Sequence, residues 1–160
     1  MGTGRTRVLH NGLGSLAILA VIVFVAVGLP AVNRALPASR PVASDAAYSI
    51  GAGVSIVPPP DSQIDLAETR PGPNRGTALF LVGAIRYLVV VTPFSGELES
   101  AADRLRNKIT LTRGYQVTGR DKAITTDSGL SGRQGGYSAP GRSGLYAVFV
   151  VDGLGIEVTA

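Results

Sequence analysis

The side chains that most often carry catalysis are few in this chain. It contains no cysteine, which excludes disulfides, zinc–cysteine sites and thiolate catalysis. Its single histidine is His10, beside a long apolar segment near the N-terminus. The chain after that segment therefore lacks the base of a Ser-His-Asp or Cys-His site. Hydrolytic chemistry there would have to use aspartate or serine without histidine.

The carboxylates and glycines form no recognisable site either. Asp121, Asp127 and Asp152 lie near predicted turns, where solvated carboxylates are common, and the alternating ligands of a calcium loop are absent. Gly-x-Gly patterns occur at 51–53 and 153–155, but neither opens a helix as a dinucleotide-binding fingerprint does. We therefore predict no catalytic residue, no metal site and no cofactor, and interpret the protein as a non-enzyme.

Basic charge is concentrated at one end of the chain. The formal net charge is +4, from 15 Lys and Arg and 11 Asp and Glu. Residues 1–40 contain four arginines and no acid, so residues 41–160 are formally neutral. A nucleic-acid-binding protein concentrates its bases on the folded domain. The balance therefore argues against a nucleic-acid partner.

A long uncharged segment predicts a membrane helix. No charged residue occurs from Asn11 to Asn33, and roughly 20 helical residues span the ~30 Å core of a bilayer. We predict a transmembrane anchor over 13–30 that contacts the lipid bilayer, after a cytoplasmic tail over 1–12. The alternative is a cleaved signal peptide, but the apolar stretch is longer than a typical signal core and no cleavage site follows it. Because the tail is short, the predicted localisation is a single-pass cell-membrane protein with its C-terminal domain outside the cytoplasm.

The residues after the anchor divide into a linker and a domain. Residues 31–47 have no hydrophobic periodicity and predict a linker, and 48–160 predict an α+β domain. Within the domain, 58–76 contain five prolines and predict a long irregular loop. One helix is expected, with Ser95 as its N-cap and an apolar stripe at helical spacing: Leu98, Ala101, Ala102, Leu105 and Ile109. Leu105 is thus predicted in the core and Arg106 on a solvated face.

Short strands account for the rest of the domain. Residues 50–57 predict one strand, and Gly83-Ala84 and Asp152-Gly153 predict hairpin turns. Gly132–Gly136 is interpreted as a kinked strand or bulge. The predicted fold class is α+β: an N-terminal transmembrane helix followed by a small antiparallel sheet packed with one amphipathic helix.

Two of the predicted strands are apolar on both sides. A helix is ~10 Å wide and cannot cover a sheet of several strands spaced ~4.8 Å apart. We therefore predict an interaction face on the side of the sheet opposite the helix, formed by Leu88, Val90, Val148 and Val150. An envelope protein or a second copy of the chain would cover it. The alternative is that loop 58–76 folds over this face.

Several segments of 50–160 together resemble a known family. They are the sequence from Gly53 to Pro59, the amphipathic helix, Val117-x-Gly119, the stretch 125–132 and the Asp152-Gly153 hairpin. This part of the chain is similar to the PsbP-like domains of small actinobacterial anchored or secreted proteins. The resemblance implies a binding or accessory module without common catalytic residues. The predicted function is therefore a membrane-tethered accessory or interaction module of the cell envelope; the alternatives are a carrier of an apolar, lipid-like ligand between sheet and helix, and a histidine-independent hydrolase.

Overall fold

The computed structural model describes residues 18–35 and 38–160. The chain forms two compact units, Met1–Pro37 and Ala38–Ala160. In the first unit, residues 18–23 are α-helical, Phe24–Gly28 form a π-helix, and Leu29–Ala35 form helix α1. The π-helix changes the backbone hydrogen-bond register in the C-terminal half of the apolar segment.

The predicted transmembrane anchor over 13–30 is wrong. Among residues 18–35 and 38–160, no helix is both long enough and apolar enough to cross a membrane. In the described part of this unit, the α-helical runs on either side of the π-helix are 18–23 and Leu29–Ala35, whereas a span needs roughly 20 residues. The predicted localisation as a single-pass membrane protein depends on this anchor and is wrong for the same reason. The predicted tail over 1–12 and the anchor residues 13–17 lie outside the described residues.

The second unit contains one further helix, α2 (Leu98–Leu111), and eleven strands. The strands are β1 (Ser39–Pro41), β2 (Tyr48–Gly51), β3 (Val54–Ile56), β4 (Gln63–Asp65), β5 (Arg70–Pro71), β6 (Gly76–Val82), β7 (Ile85–Pro93), β8 (Gln116–Thr125), β9 (Ser131–Ala139), β10 (Arg142–Val151) and β11 (Leu154–Thr159). The unit begins at Ala38 rather than at the predicted residue 48, because β1 already pairs with β4. Part of the predicted linker is therefore strand, and β4 and β5 lie in the segment predicted as an irregular loop.

Nine of these strands form one antiparallel sheet. Its order is β1-β4-β6-β7-β11-β10-β9-β8, with β5 paired to β6, while β2 and β3 form a separate hairpin. The predicted fold class, a transmembrane helix with a small sheet, is wrong in both respects. The sheet dominates the structure because residues without a strand-like pattern, in β1, β4 and β5, extend it through backbone pairing.

The β2–β3 hairpin packs on one face of the sheet, over β6 and β7. It exists because Ala52 and Gly53 adopt φ values of 53° and 77°, as a two-residue type I′ turn requires, which divides the predicted strand 50–57 in two. Ile50 of the hairpin is fully buried in a cluster with Phe80, Val89, Val91 and Ile156. Gly76 permits this close packing, since a Cβ there would lie 1.9 Å from the carbonyl oxygen of Ile50.

Helix α2 packs on the other face. Four residues of the predicted stripe are buried: Ala101, Ala102, Leu105 and Ile109. They pack with Tyr146 and Val148 of β10. The predicted N-cap, Ser95, lies outside the helix, whose N-cap is Glu97 without a side-chain capping hydrogen bond. Docking of the apolar stripe on the sheet, rather than a cap, therefore stabilises this helix.

Candidate functional site

The four residues of the predicted interaction face lie on the same side of the sheet as α2. In the strand register, Val90 is opposite Glu157, and Glu157 is opposite Val148. Val148 is 1% exposed, and it and the half-buried Val150 belong to the cluster under α2. The predicted location opposite the helix is therefore wrong, and on that opposite face the β2–β3 hairpin packs over β6 and β7.

Leu88 and Val90 lie beyond the reach of the helix. α2 has its main contacts with β8, β9 and β10, so the same face of β6 and β7 is left partly open. A groove of about 310 Å³ runs between α2 and these strands. The apolar part of its lining comes from both sides. The strands contribute Leu79, Leu88 and Val90, and the helix contributes Leu105 and Ile109. This volume is at the lower end of the ~300–1,000 Å³ typical of small-molecule sites.

A salt bridge connects the helix to the sheet along the groove. Lys108 of α2 donates from Nζ to Oε2 of Glu157 on β11 at 2.7 Å. The Lys108 side chain is 63% exposed, so this ion pair contributes little to stability. Its consequence for the groove is that the charges of Lys108 and Glu157 largely offset each other.

Two tyrosines and an arginine build one end of the groove. The rings of Tyr115 and Tyr137 stack with their centroids 5.7 Å apart. The guanidinium of Arg142 lies 5.4 Å from the centre of the Tyr115 ring and donates to the Tyr115 hydroxyl. The Tyr137 hydroxyl donates to the carbonyl oxygen of Ala160 at 3.1 Å. These contacts hold the Arg142 side chain in place at the groove.

Sequence reasoning missed the charged residues that line this groove. Arg86 of β7 and Arg142 of β10 are both exposed and both line it, with Glu68 from the segment between β4 and β5. They are far apart in sequence and match no motif. Only the pairing of β7 and β10 with the same strand, β11, brings the two arginines to one groove.

A separate network of polar side chains lies beneath α2. The Tyr146 hydroxyl donates to Oδ1 of Asp121 at 2.5 Å, and Arg106 donates from Nη1 to Oδ2 of the same carboxylate at 3.0 Å. The side chain of Asp121 is only 6% exposed, so it is not the solvated turn residue that the sequence indicated. Burial of the hydroxyl, and then its hydrogen bond to Asp121, raise the pKa of Tyr146 well above its ordinary value of 10.0. Both carboxylate oxygens have partners within the protein, which is typical of a structural role.

The raised pKa of Tyr146 gives stability a specific dependence on alkaline pH. In the unfolded chain this tyrosine loses its proton near its ordinary pKa of 10.0, whereas in the folded protein it stays protonated. Its contribution to stability is therefore complete below pH ~10 and is lost as pH rises through the folded pKa. We expect the free energy of unfolding to fall more steeply above pH ~10 in the wild type than in Tyr146→Phe, by up to ~1.4 kcal/mol per pH unit. Urea titrations at pH ~9 and ~11 measure this, and parallel pH profiles would contradict it.

Among residues 18–35 and 38–160, no three His, Asp or Glu side chains are grouped so that they could hold a metal ion. The paired and partly buried carboxylates found there, such as Asp121 and Glu157, are engaged by arginine, tyrosine or lysine.

The comparisons with known proteins assign the chain to no family. No family model matches it, and no match was found to a curated protein or to a solved structure. The resemblance to PsbP-like domains therefore stays a prediction.

Proposed function

We propose that residues 38–160 form a binding module, without catalysis of its own, that holds an apolar, lipid-like small molecule in the groove beside α2. The observation that carries this proposal is the half-buried pair Leu88 and Val90. They lie beside the buried Leu79 on a stretch of sheet that the chain's own helix leaves uncovered. This is the carrier or binder function that the sequence offered as an alternative.

Energetics favour an apolar occupant of the groove. Burying an aliphatic side chain of this size is worth about 1.5–3 kcal/mol relative to leaving it in water. In the free protein, Leu88 and Val90 each gain only part of this burial free energy, because both side chains are half-buried. A hydrocarbon chain lying on them would complete their burial and remove its own apolar surface from water.

The dimensions of the groove favour a small molecule over a protein partner. At about 310 Å³ the groove has the volume of a small-molecule site, for which ~300–1,000 Å³ is typical. The interaction-module function also required Val148 and Val150 on an open face, and both pack under α2. We therefore propose ligand binding as the function.

Filling the groove with a larger side chain should weaken the binding of an apolar probe. We expect the fluorescence of the neutral dye N-phenyl-1-naphthylamine to increase when the dye binds the full chain, and to reach a plateau as binding saturates. Leu88→Trp should weaken that binding about tenfold or more, a loss of ~1.4 kcal/mol, because the indole occupies the space of the ligand. Leu111→Trp is the matched control, since Leu111 is 86% exposed and lies outside the groove.

The same experiment separates the groove from other apolar surface. The first unit exposes large apolar side chains, among them Ile18 at 64% and Phe24 at 60%, which could also bind dye. Equal dye affinity in wild type, Leu88→Trp and Leu111→Trp would place the dye outside the groove and contradict the proposed function.

A further inference from the structure

Arg86 and Arg142 lie where the groove meets a second hollow. This adjoining hollow, of about 350 Å³, is lined by the same two arginines and by Tyr137, together with the exposed apolar residues Ile85 and Leu145. The groove beside α2 also has Arg86, Tyr137 and Arg142 in its lining. Both arginines thus line both hollows.

Neither arginine is neutralised by a carboxylate in the described part of the chain. The four ion pairs there involve Arg106, which pairs twice, Lys108 and Arg133, but not Arg86 or Arg142. Arg142 is instead held by Tyr115, through its ring and its hydroxyl. A guanidinium positioned in this way keeps free donors for a planar anion, and loses little side-chain entropy when it binds one.

Charge around the groove is close to balanced, with a small positive excess. Three cationic residues line it, Arg86, Lys108 and Arg142, against the two acids Glu68 and Glu157, which leaves a formal charge of +1. Lys108 and Glu157 pair with each other. The excess therefore belongs to the arginine end, and one negative charge on a ligand would neutralise it.

We propose that the groove binds a monoanionic amphiphile, an unbranched hydrocarbon chain ending in a carboxylate. The hydrocarbon chain of the ligand lies on Leu88 and Val90, and Arg86 and Arg142 donate to the carboxylate. This proposal rests on the proposed function, because it assigns the polar end of the ligand that the groove holds. A carboxylate matches both the single excess charge and the planar fork of the arginine side chain.

Paired ligands that differ only in their head group test this assignment. Binding of dodecanoate and of dodecanol to the full chain is measured by calorimetry below their aggregation concentrations. We expect dodecanoate to bind at least about tenfold more tightly, because charge-assisted hydrogen bonds to arginine are among the stronger ones. Arg86→Gln and Arg142→Gln should each weaken dodecanoate about tenfold and leave dodecanol unchanged.

Two further variants control for general charge and for the shape of the donor. Arg120→Gln removes an exposed arginine of β8 that does not line the groove, and it should leave dodecanoate binding as in the wild type. Arg142→Lys keeps the charge but loses the fork, and it should bind dodecanoate with intermediate affinity. Arg86 and Arg142 are both exposed, so thermal melts of the variants should resemble that of the wild type.

The outcomes distinguish this proposal from the function on which it rests. Equal binding of the two ligands, unaffected by the arginine variants, would overturn the carboxylate assignment and leave the apolar-binding function intact. Absence of binding for both ligands would overturn both. Tighter binding of dodecyl phosphate than of dodecanoate would also overturn the assignment, since it would show that the site selects a different anion.

Discussion

Leu105→Ala is expected to lower the free energy of unfolding by about 2–5 kcal/mol, the range of buried leucine truncations. Leu105 is 2% exposed and packs in the cluster between α2 and Tyr146 and Val148. The strands beneath it are joined by backbone hydrogen bonds and can collapse only partly into the space that the truncation leaves. Urea denaturation followed by circular dichroism measures the change.

The same substitution elsewhere on the helix provides the control. Leu111 is the last residue of α2 and is 86% exposed, so Leu111→Ala should change stability by less than ~0.5 kcal/mol. If the two alanine variants unfolded at the same urea concentration, the helix would not be docked through its apolar stripe. The helix would then no longer form one side of the groove beside α2.

Local patterns allowed some elements of the second unit to be predicted. The stripe that includes Ala101, Leu105 and Ile109 repeats at the helical period, and α2 contains it. Asp152 and Gly153 form the predicted turn, with φ values of 48° and 73°. In both cases neighbouring residues alone determine the structure, so a single sequence carries the signal.

The size of the sheet and the side on which the helix packs could not be predicted in this way. Alternation along a strand identifies residues that share a face, but not which face a distant helix will cover. The sequence therefore predicts an open face for Val148, although α2 covers it. Strand β4 gave no signal, because pairing with β1 and β6 rather than its own composition makes it a strand.

The first unit shows a different limit of sequence reasoning. Hydropathy and length predicted an unbroken helix over 13–30, but neither property reports the hydrogen-bond register of the backbone. In the described residues that register changes over Phe24–Gly28. Composition therefore indicated a spanning length that no described helix has.

Asp121 was missed because the strand that carries it is irregular. The sequence predicts a turn near Asp121, yet β8 runs through this residue and contains a bulge between Thr118 and Lys122. The partner strand β9 leaves space for this contact, since a Cβ on Gly135 would lie 2.4 Å from the Tyr146 hydroxyl oxygen and 2.8 Å from Oδ1 of Asp121. In the glycine run predicted as a kink or bulge, Gly135 thus leaves room for the Tyr146 side chain.

Asp121→Ala is expected to destabilise the protein by about 2–3 kcal/mol, as the loss of charge-assisted hydrogen bonds at a nearly buried site would. It removes the acceptor of both the Tyr146 hydroxyl and the Arg106 guanidinium. The Tyr146 side chain is buried, so water cannot readily replace the lost acceptor. Asp127→Ala is the matched control, because Asp127 is exposed and should tolerate the change within ~0.5 kcal/mol.

A double-mutant cycle with Tyr146→Phe tests whether these groups act as one network. Each single variant leaves the other member of the Tyr146–Asp121 hydrogen bond without its partner, whereas Asp121→Ala/Tyr146→Phe removes both ends of it. The double variant should therefore be more stable than the sum of the two single losses predicts, by at least ~0.5 kcal/mol. Strict additivity would show that Asp121 and Tyr146 contribute independently. The contribution of Asp121 would then rest on Arg106, the residue that the sequence placed in solvent.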